Sequence, residues 1–254
     1  MRRSFTSIVP LLMATGALLL VASCKKDKEE PQPQPAPVPQ QGLLDVEGNG
    51  YDTVVIGGRT WMAENLRVSK YRNGDPITTG LNFGDWQNLS IGAYAIYDDA
   101  SSNNATYGKL YNWYTTVDLR GLCPTGWSIP SDQDWADLEA FVGVPIAQLS
   151  QTGERGAANN SGGKLKATQL WSSPNLGATN SVGFAALPAG HRSSWSAPPL
   201  SYSWLGLHGH FWTSTSFNGI QAYMRVLTNS EQGIHRHDNG VKTDGKSCRC
   251  IKNL

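Results

Sequence analysis

The sequence predicts an α+β domain of short, mostly antiparallel strands, one or two helices and long irregular loops. Three observations predict it. Only 16% of the 254 residues are charged, against roughly 25% in an average soluble domain, and 27 Gly and 14 Pro fill part of the gap. A helical bundle or coiled coil needs Ala, Glu, Lys and Leu in quantity instead. Nine Trp, nine Tyr and six Phe supply enough apolar surface to exclude a disordered chain. Strand-type runs outnumber helical ones and are separated by long Gly/Asn/Ser segments.

The N-terminus sets the address. Arg2 and Arg3 form a basic leader, and Ile8 to Val21 is apolar except for Pro10, Thr15 and Gly16. This stretch is a signal-type segment, since a bilayer-spanning helix needs about 20 apolar residues. It runs into Val21-Ala22-Ser23-Cys24, which resembles a bacterial lipobox. Small residues there admit a signal peptidase, and the Cys24 thiol takes a diacylglycerol group. Residues 1–23 are therefore expected to be a lipoprotein signal peptide and Cys24 the lipidation site. Residues 24–41 form a tether, Lys25-Lys26-Asp27-Lys28-Glu29-Glu30 followed by a stretch of Pro, Gln, Ala and Val alone. Such a spacer extends at about 3 Å per residue. The acidic residues behind Cys24 resemble the surface-export tag of Bacteroidetes-type lipoproteins. The expected location is the outer membrane, held by the N-terminal lipid and exposed at the cell surface.

Charge narrows the partners. The formal net charge is +1, and removing Arg2 and Arg3 with the signal leaves −1, because the tether balances three positive against three negative residues. No electrostatic footprint for nucleic acid exists. A near-neutral surface suits a glycan or a protein.

Residues 42–254 carry no second linker, internal repeat or charge block and are read as one domain, large enough to bury a core. Thr53–Ile56 and Arg59–Met62 flank Gly57-Gly58, a two-residue hairpin signal. Further strands are expected at Tyr94–Tyr97, Gly183–Ala186, Phe211–Thr215, Ala222–Leu227, Gly233–His237 and Ser247–Ile251. The clearest helix begins at Ser131: Ser131-Asp132-Gln133-Asp134 is a capping box with Asp for Glu, and Gly143 offers a stop. Trp135, Leu138, Phe141 and Val142 are expected to line its core face. A shorter helix is expected at Pro145–Gln151.

Besides Cys24, only Cys123, Cys248 and Cys250 remain, in a chain bound for a compartment where disulfides persist. Cys123 can meet only one of the C-terminal pair. Cys250 is the choice, because chain endings of this type turn that position inward; Cys248 then remains as a buried thiol or an alternative partner. No paired C-x-x-C spacing points to a metal.

Several segments then carry a family resemblance. Val55-Ile56-Gly57-Gly58-Arg59-Thr60-Trp61-Met62-Ala63-Glu64-Asn65-Leu66, Tyr107-Gly108-Lys109-Leu110-Tyr111-Asn112-Trp113-Tyr114 and Leu122-Cys123-Pro124-Thr125-Gly126-Trp127-Ser128-Ile129-Pro130-Ser131-Asp132 appear in order. Gly163-Lys164-Leu165-Lys166, the Trp171 to Pro188 stretch, Phe211-Trp212-Thr213-Ser214-Thr215 and Arg249-Cys250-Ile251 follow. Together they resemble the Fibrobacter succinogenes major paralogous domain over about residues 50–254. The resemblance implies an extracytoplasmic lipoprotein module with a C-type-lectin-like fold, related around Trp127–Trp135 to formylglycine-generating enzymes. Cys248 departs from the family, which usually has Val there, and leaves the partner of Cys123 open. Trp61, Trp127 and Trp135 fall in these motifs and are expected in the core, as is Trp212.

The chemistry expected is binding without catalysis. Formylglycine-type oxidation needs a pair of active-site thiols, and the Asn- and Trp-rich loop of those enzymes is missing here. Calcium-dependent lectins of this fold use Glu-Pro-Asn or Gln-Pro-Asp, and Ser173-Pro174-Asn175 lacks the carboxylate a hard cation requires. Aromatic stacking remains. Trp195, Tyr202, Trp204, His208 and His210, interleaved with Ser, Pro and Gly, are the expected ligand-binding residues, because flat rings with polar neighbours match a sugar's apolar face and rim. The pairs His208/His210 and His235/His237 could each share a strand face and hold zinc or copper. Solvated loop histidines explain the same letters, and no metal or other cofactor is expected. The alternative is a structural or adhesin subunit of a surface assembly.

Overall fold

The computed structural model describes residues 40–198 and 201–254. The expected signal peptide, the expected lipidation site Cys24 and nearly all of the expected tether lie outside the described residues. Contacts divide the chain at residue 35, and everything described belongs to the unit Pro35–Leu254. In order, the elements are β1 (Gln40–Leu44), β2 (Gly50–Ile56), β3 (Arg59–Met62), α1 (Phe83–Gln87), β4 (Tyr94–Ala95), α2 (Ser102–Tyr107), β5 (Leu110–Tyr111), α3 (Trp113–Thr116), β6 (Trp127–Ser128) and α4 (Asp132–Phe141). Then come β7 (Gly153–Arg155), β8 (Ala189–Arg192), β9 (Tyr202–Leu205), β10 (His208–Ser216), β11 (Gln221–Thr228), β12 (Ile234–Val241) and β13 (Ile251–Lys252). Few helices and mostly antiparallel strands make this an α+β fold.

The first sheet has the order β1-β2-β3-β13-β6. Gly57 and Gly58 sit at φ +58° and +78°, the positive values that a two-residue hairpin turn demands, so β2 and β3 pair in full register. The C-terminal β13 inserts between β3 and β6, with Ile251 opposite both Trp61 and Ser128. The second sheet runs β7-β12-β11-β10-β8-β9 and is antiparallel except for the β8–β10 contact.

Helix α4 packs between the sheets, and the expected capping box is present at Ser131 and Asp134. Its inner face holds Trp135, Leu138, Glu139 and Val142, all buried. Phe141 corrects the expectation: it is 60% exposed and lies against the Gly57 turn. At 100° per residue, position 141 falls about 120° from 135, whereas 138, 139 and 142 return to the same side. A glutamate thus occupies the place given to a phenylalanine. Around the helix, Trp61, Trp135, Phe184 and Phe211 meet at centroid separations of 5.4–6.0 Å, edge-on except for the tilted Trp135–Phe211 pair. A second cluster buries Tyr51, Met62, Tyr111, Trp127 and Trp212 around the disulfide.

Two other expectations need correction. Gly183–Ala186 is irregular rather than a strand, because the buried Arg249 guanidinium draws the Phe184 and Ala185 carbonyls inward as acceptors. Pro145–Gln151 forms only a single 3-10 turn at Ile146–Gln148. Cys123 is bonded to Cys250 across 127 residues, and Cys248 is a buried free thiol. A regular strand would turn residues 248 and 250 to one face. Here β13 begins only at Ile251, and the preceding carbonyls are held individually, Cys248 by Leu66 N–H and Cys250 by Met62 N–H, each at 2.9 Å.

Candidate functional site

Register in the second sheet gathers the histidines. His210 lies opposite Val226, Val226 opposite His235, and His235 opposite Glu154, so one row crosses β10, β11, β12 and β7 on a single face. The next row toward the chain's interior sets Trp212, Met224 and His237 side by side. The reverse face carries Phe211, Arg225 and Arg236 toward α4. The two His-x-His pairs therefore share one face of one sheet, and His191 from β8 joins them with its ring 4.8 Å from that of His210.

Trp204 roofs this face. It has φ +75°, a left-handed conformation uncommon outside glycine, and it sits opposite Gly190 in the β8–β9 pairing. A Cβ on Gly190 would come within 2.4 Å of the Ser203 carbonyl, so only glycine allows β9 to approach this closely. The kink breaks the alternation of β9. Tyr202 turns away, donates its hydroxyl to Asp99 Oδ1 at 2.7 Å and stacks near Tyr97, while the Trp204 ring reaches His208 at 3.7 Å. An open cleft of about 370 Å³ results, lined by Trp204, His208, His210, Glu231, His235 and His237 among others.

Three of the five expected binding residues, Trp204, His208 and His210, thus come together. Tyr202 is built into the fold beside them. Trp195 is 75% exposed on the loop after β8, whose backbone is tied by Ser193 and by Ser194 to Asp244, and it does not line the cleft. His191, His235, His237 and Glu231 were not among the expected binding residues. For His235 and His237 the i, i+2 spacing was the signal; His191 and Glu231 had none in the sequence. A second cleft of about 310 Å³ lies beside Glu64 and Arg67, which pair with each other at 3.5 Å.

The buried histidines of this face stay neutral at neutral pH, and the charge in the cleft comes from Glu231: burial raises its carboxyl, but the Thr228 hydroxyl and His235 outweigh it and hold the group below the ordinary carboxylate value. Burial pushes His208 down to about 4, with Glu231 and His235 pulling in opposite directions. Burial and the Lys246 ammonium push His191 down to about 4 against Asp244, and burial with His191 and Lys246 holds His210 well below the ordinary imidazole value. Burial and His235 lower His237 as well. His210 is buried, yet neither Nδ1 nor Nε2 has a hydrogen-bond partner within the described residues. Such a group carries an unmet desolvation cost of about 1–3 kcal/mol.

Depressed histidines make stability acid-sensitive. The unfolded chain takes up protons near pH 6.5 while the folded one does not until near 4, so stability is full above 6.5 and falls between 6.5 and 4. Each histidine held neutral contributes at most about 1.4 kcal/mol per pH unit across that window, less for the half-exposed His208. Urea unfolding at pH 7 and pH 5 checks this; equal midpoints would contradict the buried neutral state.

The chain belongs to the family described as the Fibrobacter succinogenes major domain, whose model matches residues 54–252. No curated protein and no solved structure matches it.

Proposed function

We propose, with that membership as the premise, that the protein is a non-catalytic binding module that recognises a glycan in the Trp204–His210 cleft. In this reading the module has a C-type-lectin-like fold and is displayed outside the cell by the lipid on Cys24. The observation that carries it is the unpartnered, buried His210 beneath an exposed tryptophan in an open cleft. A sugar offers what both lack: a hydroxyl for the imidazole and an apolar ring face for the indole. The Glu231 carboxylate in the wall, with no lysine or arginine among the lining residues, favours a neutral saccharide over an anionic one.

A glycan array probed with residues 41–254 tests this. Binding is expected, and Trp204→Ala or His210→Ala is expected to weaken it roughly tenfold or more, the equivalent of about 1.4 kcal/mol. The absence of any glycan ligand would sink the reading. Loss of binding in Trp195→Ala alone would move the site to the outer loop. The second reading, a subunit of a surface assembly, rests on Trp195 itself, a large ring left 75% exposed away from the cleft. Co-purified surface proteins released by Trp195→Ala would favour it.

A further inference from the structure

At the β12 end of the cleft, Glu154, Glu231 and His235 each bring one ligand-type atom within 4.8 Å of the other two. Backbone register imposes part of this. Glu154 on β7 stands directly opposite His235 on β12, and Glu231 comes from the turn joining β11 to β12. His235 Nε2 lies 2.6 Å from Glu231 Oε2. Glu154 Oε1 accepts the Gly233 N–H at 3.0 Å, and the Thr228 hydroxyl donates to Glu231 Oε2 at 2.8 Å.

The turn is held from beneath. Lys166 Nζ donates to the carbonyls of Leu176, Thr228 and Glu231, each at 2.8 Å, so the segment bearing Glu231 is anchored to a buried ammonium. Position 233 must be small: a Cβ there would meet Glu154 Cγ at 2.5 Å and Oε1 at 2.7 Å. Among the described residues, no lysine or arginine side chain forms an ion pair with the carboxylate of Glu154 or Glu231. Two carboxylates and an imidazole therefore converge with no direct lysine or arginine partner; the Lys166 ammonium acts on Glu231 only from beneath the turn.

Ligand chemistry and distance select the class of ion. Calcium and magnesium prefer all-oxygen shells of six or more, whereas a mixed imidazole and carboxylate set suits zinc, nickel or copper. Four ligands at 2.0–2.2 Å around a tetrahedral ion are about 3.4 Å apart. The observed 2.6 Å pair and the 4.8 Å limit bracket that spacing, so small side-chain rotations suffice. We propose that Glu154, Glu231 and His235 bind a divalent transition ion of the zinc type, with its fourth position open toward the cleft. This departs from the metal-free expectation and goes beyond the glycan reading, since the ion binds whether or not a saccharide does. Thr228, Gly233 and Lys166 are positioning residues that orient the ligands.

The test is titration of the untagged, full-length protein in detergent with Zn²⁺, and with Co²⁺ as a spectroscopic substitute. One equivalent should bind saturably, with a visible Co²⁺ band of a four-coordinate site. His235→Ala and Glu231→Gln should each weaken binding at least about tenfold, since even outer-shell changes cost 10- to 100-fold. Circular dichroism of each variant checks that the sheet persists, and Glu154→Gln, at an exposed position, serves where another variant fails to fold. No saturable uptake by the wild type would overturn the proposal, as would unchanged uptake in all three variants. Uptake lost instead in His191→Ala, with these three unaffected, would overturn the assignment too. Repeating the glycan array in a chelator separates the two claims, because glycan binding that survives leaves the cleft reading intact whatever the ion does.

Discussion

Replacing Cys123 or Cys250 with serine is expected to lower stability by about 5 kcal/mol in the chain-entropy model, with roughly 2–5 typical of native disulfides. The bond closes a loop of 127 residues, which holds α4 and all of the second sheet. Without it, the unfolded chain regains the freedom to separate its middle from its end. The folded state loses the cross-link that seats the C-terminal segment, whose only regular pairing is two residues of β13 between β3 and β6. Since small domains are stable by only about 5–15 kcal/mol, the variants should sit near the edge of folding at 37 °C. Urea unfolding of residues 41–254 with and without reductant measures the effect; a loss below about 1 kcal/mol would contradict it. Cys248 supplies an internal control. Burial pushes its thiol far above the ordinary value, so it should resist alkylation in the native protein and react only after denaturation.

Local rules made much of this fold legible. The Gly57-Gly58 hairpin, the Ser131 cap and the strands around 211–215, 222–227 and 233–237 each follow from a few neighbouring residues, and each is present. Side chains whose neighbours come from distant strands were not legible. Glu139 reads as a solvent residue because charges avoid burial, yet Arg155 and Arg225 arrive from β7 and β11 to neutralise it. Lys166 and Arg249 are buried on the same principle, with backbone carbonyls as their acceptors. At the site, the His-x-His spacing was visible, and so was the aromatic content of 195–212. Their union was not, since it depends on the pairing of β10 with β11 and of β11 with β12, and on a left-handed Trp204 that separates it from Tyr202. Sequence periodicity places side chains on a face; it does not say which strands share that face.

Glu139→Ala is expected to cost about 3–5 kcal/mol, although the residue removed is charged and lies on a short helix. Its carboxylate is fully buried and receives Arg155 through two bonds of 2.7 Å and Arg225 Nε at 2.5 Å. Asp132, one helical end away, takes Arg225 Nη1 at 2.6 Å and Arg236 Nη2 at 2.8 Å. Three guanidiniums thus face two carboxylates. Deleting Glu139 leaves Arg155 with no acid and Arg225 with only Asp132, both guanidiniums being fully buried. Replacing Glu139, Arg155 and Arg225 together with apolar residues of similar volume should restore most of the loss, because the penalty arises from the stranded charges rather than from a missing attraction. The pair of variants decides the matter: if the single substitution were mild, or the triple one worse than the single, the buried charges would not be acting as one unit. Acid titration separates this device from the histidines. Burial raises the Asp132 carboxyl, but Arg236 and Arg225 outweigh it and hold the group below 3.8, so its contribution is complete above that value and lost only as pH falls beneath it. The histidine loss between pH 6.5 and 4 should therefore survive Asp132→Asn unchanged, while the further loss below pH 4 should shrink.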